Sequence, residues 1–285
     1  MTGTRSLQRL GAMAQTARRV GLAGSLAAGM EVGDRLLTRL ERPPLAAKIQ
    51  SGEVRGYLRH RGFLEYVATG MEEESYYRAL VLDAVDSGTT FIDVGAHVGV
   101  YALLTCQRAR RVIAFEPDPY NFSALKQNAR RSDCSNIELR KEAVADRSGR
   151  HSFRSFRSTF GSSLLPRKVD EYRELEVTTV PLDDVIRDSD LANLVVKVDA
   201  EGAEPLALAG MGRTILQAQR LTIFFEINPE ALEVGGSSAV EFMRALMSTR
   251  MECAWINEQQ GTLVPALRDD SPAKGNVMCV KSPSG

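Results

Sequence analysis

Acidic side chains and glycines recur along the chain in arrangements that suit nucleoside binding and proton removal. Asp93-Val94-Gly95-Ala96-His97-Val98-Gly99 couples a strand-terminal acid to two glycines. Glycine permits positive φ and lets backbone approach a ligand closely, and the amides that open the next helix have no partner within it. Phe115-Glu116-Pro117 follows about twenty residues on, where an acid accepts hydrogen bonds from ribose hydroxyls in dinucleotide-binding units. A tight turn and a helix cap would each explain one motif alone. The order strand, glycine turn, helix, strand, acid points instead to a bound nucleoside.

The third stretch, Lys197-Val198-Asp199-Ala200-Glu201-Gly202-Ala203-Glu204, ends the strand-like run at 194–198, at the rim where open α/β sheets bind substrates. Asp199 and Glu201, with Glu226 on the adjacent strand end, suit deprotonation of a hydroxyl. An aspartate with the ordinary pKa of about 4 is a weak base for an alcohol, so it acts in concert with bond formation, or Mg²⁺ held by Asp199 and Glu226 acidifies the hydroxyl. Lys197 pairs with a carboxylate or points into the sheet. The competing explanation for Glu201 and Glu204 is that they cap the helix that follows.

The nicotinamide spacing G-x-G-x-x-G is absent, because His97 stands where the second close-approach glycine belongs. Asp93 suits a ligand carrying an ammonium group, as S-adenosylmethionine does. The methyl donor therefore fits better than a dinucleotide. An NAD-dependent oxidoreductase and a non-catalytic nucleoside-binding protein are the rival readings.

The elements that must position these residues follow from strand and helix patterns. After a helix over 76–85, strand-like runs at 89–94, 111–115, 137–140, 177–180, 194–198 and 221–227 alternate with helix-like segments at 102–108, 121–130, 182–187 and 204–217. That alternation predicts a parallel sheet with helices on both faces. A helix at 239–248 precedes strand-like runs at 253–256, 262–267 and 276–280, which predict an antiparallel edge. The segment 151–168, with Arg154, Arg157 and Arg167 among Phe153, Phe156 and Phe160, lacks a period and reads as a long loop, either a lid or a solvated insert.

The chain resembles the FkbM family of S-adenosylmethionine-dependent methyltransferases. The resemblance runs from about residue 60 to 280 and rests on Tyr66–Glu72, FIDVGAHVG, FEPDP with Asn121, Glu142-Ala143-Val144-Ala145-Asp146, Gly161–Leu164, VPLDD and above all LVVKVDAEGAE. It implies a Rossmann-like seven-stranded methyltransferase fold, strand order 3-2-1-4-5-7-6 with the seventh strand antiparallel, and O-methylation of a hydroxyl on a sugar, glycolipid or secondary metabolite. By the same resemblance Asp93, Gly95 and Gly99, with Ala96 and His97 in the same turn, line the methionine end. Glu116 and Pro117 then bound the ribose, and Glu142 meets the adenine amino group. His97 replaces a common asparagine. Asp199, Glu201 and Lys197 carry the catalytic expectation.

Composition is consistent with this reading. The 285 residues carry 36 basic and 36 acidic side chains, a balance that argues against nucleic acid as a partner. Residues 1–60 hold ten Lys/Arg against four Asp/Glu and read as a basic helical extension, with 61–285 as the methyltransferase domain. Arg5, Arg9, Arg18 and Arg19 suit an anionic membrane surface, a transit peptide or a solvated helix. Cys106, Cys134, Cys253 and Cys279 show no metal-site or framework spacing and read as free thiols in a reducing, cytoplasmic setting.

Overall fold

In a computed structural model of the chain, the described residues are 47–51, 54–58, 74–132, 134–156, 172–267 and 274–281. Within the extension read as helical, β1 (Ala47–Ser51) and β2 (Val54–Leu58) instead form an antiparallel ribbon. Residues 1–46, including the basic segment 1–30, and the 66–72 motif lie outside the described residues.

Helix α1 (Ser75–Asp83) leads into β3 (Thr90–Val94), whose five residues are all buried. Then follow α2 (Val100–Thr105), β4 (Arg111–Phe115), α3 (Pro119–Arg131), β5 (Ile137–Arg140) and the short β6 (Glu142–Val144). Next come β7 (Gly149–Phe156), β8 (Tyr172–Val180), α4 (Leu182–Val185), β9 (Leu194–Val198), α5 (Glu204–Ala209), α6 (Gly212–Gln217) and β10 (Leu221–Ile227). The chain continues through α7 (Pro229–Val234), α8 (Ala239–Ser248), β11 (Glu252–Asn257), β12 (Thr262–Pro265) and β13 (Gly275–Lys281).

The main sheet has the order β12-β11-β13-β10-β9-β3-β4-β5. Strands β10, β9, β3, β4 and β5 are parallel, and β13 runs antiparallel between β10 and β11. Without the added edge strand β12, this is the order 6-7-5-4-1-2-3, as the resemblance implied. The central strands β3, β4 and β9 are buried on both faces, which explains why they read as mostly apolar runs. Alternate side chains serve opposite layers: Phe91, Val112, Val195 and Phe224 pack with α1 and α2, while Ile92, Ile113, Val196 and Phe225 pack with α4 and α8. Burying each such side chain contributes about 1.5–3 kcal/mol.

Three expectations are corrected. The first part of the 151–168 segment is not loop: β7 pairs antiparallel with β8, which begins at Tyr172, and β6 joins them in a three-stranded sheet. Residues 157–171 are outside the described set. The helix expected over 204–217 breaks at Gly210, where a Cβ would overlap the carbonyl oxygen of Ala145, so only glycine lets the two backbones meet. The cysteines are not free among the described residues, since Cys106 pairs with Cys134 and Cys253 with Cys279. Sequence separations of 28 and 26 hide what the fold brings together, the second pair being register partners on β11 and β13.

No helix among the described residues is long and apolar enough to cross a membrane.

Candidate functional site

The carboxyl ends of β3, β4, β9 and β10 open into one cleft of about 380 Å³. Its floor begins at the turn after β3, where Gly95, His97 and Gly99 have φ of 76°, 51° and 95°. The amides of Gly95 and Ala96 both donate to the Phe115 carbonyl oxygen, tying the turn to the end of β4. A Cβ on Gly99 would stand 2.5 Å from Leu125 Cδ1, so this glycine serves the packing of α2 on α3, and it does not line the cleft.

Glu116 follows β4 and is buried. Its Oε2 accepts from the His97 amide at 2.8 Å and its Oε1 from the Asp118 amide at 2.9 Å. Burial pushes its pKa up to about 8, against the amides that favour the carboxylate. His97 is therefore joined to this end of the cleft through its backbone, and the residue is part of the cavity lining. Pro117 lines it beside Glu116. Glu142 lies further along and is gripped by Arg140, whose Nε and Nη2 each reach one carboxylate oxygen.

Between these acids the wall is apolar. Phe115, Val144 and Phe153 line it, and Phe153 arrives on β7 from the segment read as loop. Phe153 is almost fully buried.

At the opposite end, Asp93 and Lys197 are register partners on β3 and β9. Asp93 Oδ2 accepts from the Ala102 amide at 3.0 Å, whereas its buried Oδ1 meets no hydrogen-bond donor among the described residues. The nearest cation, Lys197 Nζ, is 3.8 Å away. Burial raises the Asp93 pKa, opposed by Lys197. An ammonium group in the cleft would find an unsatisfied, buried carboxylate oxygen here. This is the observation by which the site fits the methionine moiety of S-adenosylmethionine.

Lys197 also donates to Asp199 Oδ2 at 3.1 Å and lies 5.1 Å from the centre of the Tyr101 ring. Burial alone would lower its pKa, but Asp199 and Asp93 raise it well above the ordinary value. It is thus a fixed cation between two acids.

Asp199 shares a hydrogen bond with Glu226 on the neighbouring strand. Burial and the adjacent Asp199 raise Glu226 well above the usual carboxylate range. For Asp199, burial works upward, but Lys197 and the bond to Glu226 outweigh it and hold the group low. One proton resting on Glu226 leaves Asp199 anionic. Glu226 Oε1 also accepts from Lys274 Nζ at 2.8 Å.

The turn from β9 to α5 is held by Glu204, whose oxygens accept from the Ala200 and Gly202 amides. Glu204 is outside the cleft lining and anchors the turn. Glu201 lies in that turn at φ 53°, a left-handed conformation costly for a side chain of this type, and it lines the cleft. Asp199, Glu201 and Glu226 offer oxygens within 4.8 Å of one another. Two of the three are already bonded to lysine ammoniums, so the set as arranged does not fit Mg²⁺.

Every site residue expected from sequence except Gly99 meets in this cleft. Sequence reasoning missed Lys274, just before the antiparallel strand β13, and Asn276 within it, Phe153 from the hairpin, and Tyr77 and Tyr101 from α1 and α2. Only the pairing of Glu226 with Asn276 across β10 and β13 brings the first two there, and no local pattern signals it.

Fold and cleft define a Rossmann-like α/β protein of the methyltransferase class. The methyltransferase FkbM domain matches residues 93–258, more than half of the sequence, and the chain belongs to that family. The hexuronic acid methyltransferase AglP of Haloferax volcanii is 30% identical over 133 residues, 46% of this chain and 54% of the relative. The chain thus spans about half the length of that curated relative. Among solved structures, a putative methyltransferase from Streptococcus mutans in complex with SAH has a TM-score of 0.44 and 10% identity, covering 73% of this chain and 97% of that one. An rRNA methylase from Streptococcus thermophilus has a TM-score of 0.41 and 13% identity, with coverage of 72% and 93%.

Proposed function

We propose that the chain transfers a methyl group from S-adenosylmethionine to a hydroxyl of a sugar, glycolipid or secondary metabolite. The observation that carries this reading is the orphaned Asp93 Oδ1 in the same cleft as anionic Asp199. The family supports methyl transfer, and the named activity of the Haloferax volcanii relative supports a sugar-derived acceptor.

S-adenosylmethionine, when bound, supplies a methyl already activated as a sulfonium, which leaves as a neutral thioether once the acceptor oxygen has taken the methyl. The chain's own residues then have three tasks. Asp93 and the Gly95 turn hold the methionine end, and Glu116 orients the ribose while Phe153, Phe115 and Val144 exclude water from the adenine. Asp199 accepts the hydroxyl proton as the new carbon–oxygen bond forms, a concerted role that a low-pKa carboxylate can fill. Lys197 keeps its proton and fixes Asp199 and Asp93 in place.

The test is transfer of labelled methyl to a panel of sugars, uronic acids and their methyl esters. Label on a hydroxyl oxygen, retained when the acceptor's carboxylate is esterified, is the expected outcome. Label found only on carboxylates contradicts the hydroxyl reading.

A further inference from the structure

Three carboxylates converging at a strand-end rim would ordinarily suit a divalent cation. Here the rim also carries Lys274, which no sequence motif singles out. Its Nζ lies 2.8 Å from Glu226 Oε1. The antiparallel register explains its arrival: Ile227 pairs with Gly275 and Glu226 with Asn276, so the residue preceding β13 falls beside the end of β10. Lys197 in turn bonds Asp199.

Mg²⁺ requires near-octahedral oxygen donors and loses its water reluctantly. To reach both Asp199 and Glu226 it would have to expel at least one tethered ammonium. A tethered cation competes at a local concentration that a dilute ion does not reach.

We propose that Lys274 is a positioning residue that takes the place of a divalent cation among Asp199, Glu201 and Glu226, keeping Glu226 against Asp199 without metal. The inference rests on the proposed function only in treating this cluster as the acceptor end. Lys274 is largely exposed, with 64% of its side chain accessible, so its replacement leaves the core intact.

The experiment is titration of the full chain with Mn²⁺ alone, read by calorimetry and by the Mn²⁺ paramagnetic signal, on wild type, Glu226→Gln, Lys274→Met, Lys274→Arg and the double variant Lys274→Met/Glu226→Gln. Wild type and Lys274→Arg are expected to bind no stoichiometric Mn²⁺ up to about 1 mM, the weak end of protein carboxylate sites. Lys274→Met is expected to gain one site, at least about tenfold tighter, because a like charge is removed from close range. The double variant loses that gain. One Mn²⁺ bound by wild type and weakened by Glu226→Gln would overturn the proposal, as would a Lys274→Met protein that gains nothing. S-adenosylhomocysteine binding, measured on the same samples, separates the two readings: its absence counts against the methyl-donor reading, while the Mn²⁺ pattern still reports on Lys274.

Discussion

Gly95 lies so close to Asp199 that a Cβ on the glycine would overlap the aspartate's backbone carbonyl oxygen. The turn proposed to receive the methyl donor and the residue proposed to receive the proton are therefore in direct contact. Neither can shift without the other. The Asp199 amide reinforces the contact by donating to the Val94 carbonyl at 3.1 Å.

Gly95→Ala should fail twice, through positive φ and through collision with backbone that cannot rotate away. A loss of about 1–3 kcal/mol in stability is expected. Thermal unfolding should show it, together with loss of S-adenosylhomocysteine binding. Unchanged affinity would mean that the turn does not meet the ligand.

Glu116, raised to about 8, is largely protonated at neutral pH in the free protein. Ribose hydroxyls donate best to a carboxylate, so binding should expel up to about one proton per ligand near pH 7 and should strengthen as pH rises toward 8. Calorimetry in buffers of differing ionisation enthalpy measures this, and Glu116→Gln should abolish it. The stability sign is opposite. A carboxyl raised from 4.5 to about 8 holds its proton in the native state after the unfolded chain has released it, so stability is full below about pH 4.5 and falls as pH rises through 8. Glu204, raised by burial to about 7, adds to the same decline.

Phe153→Ala should weaken adenosyl binding and, by leaving a cavity, cost about 3–5 kcal/mol of stability. A ligand lacking the adenine should lose less affinity than the full nucleoside. Equal losses would remove Phe153 from the adenine end.

Asp199→Asn keeps the size of the side chain and removes its basicity. Methyl transfer should fall by about 10²–10⁴, the usual contribution of a general base, with S-adenosylhomocysteine affinity within a few-fold of wild type. Unaltered turnover would exclude Asp199 as the proton acceptor.

The parallel core was legible because its central strands are buried on both faces, leaving mostly apolar runs such as Leu194–Val198, interrupted only by Lys197. The acids were legible because each stands at or just beyond the carboxyl end of such a run, as Asp93 does in β3, Glu116 after β4 and Glu226 in β10. What depends on distant pairing was not. Phe153 sits in a Ser- and Arg-rich hairpin strand whose outward residues mask its inward one, as the Ser152–Glu174 bond on its exposed side illustrates. Lys274 and Asn276 reach Glu226 only through antiparallel register, and Cys253 meets Cys279 by the same means. The break at Gly210 comes from contact with Ala145, far away in sequence.

The most direct test of the account is calorimetric titration of the full chain with S-adenosylmethionine, S-adenosylhomocysteine and NAD⁺, on wild type and Glu116→Ala. The account predicts stoichiometric binding of both adenosyl ligands, at least about tenfold weaker in the variant, and no binding of NAD⁺. Binding of NAD⁺ without the adenosyl ligands, or adenosyl binding indifferent to Glu116, would contradict it.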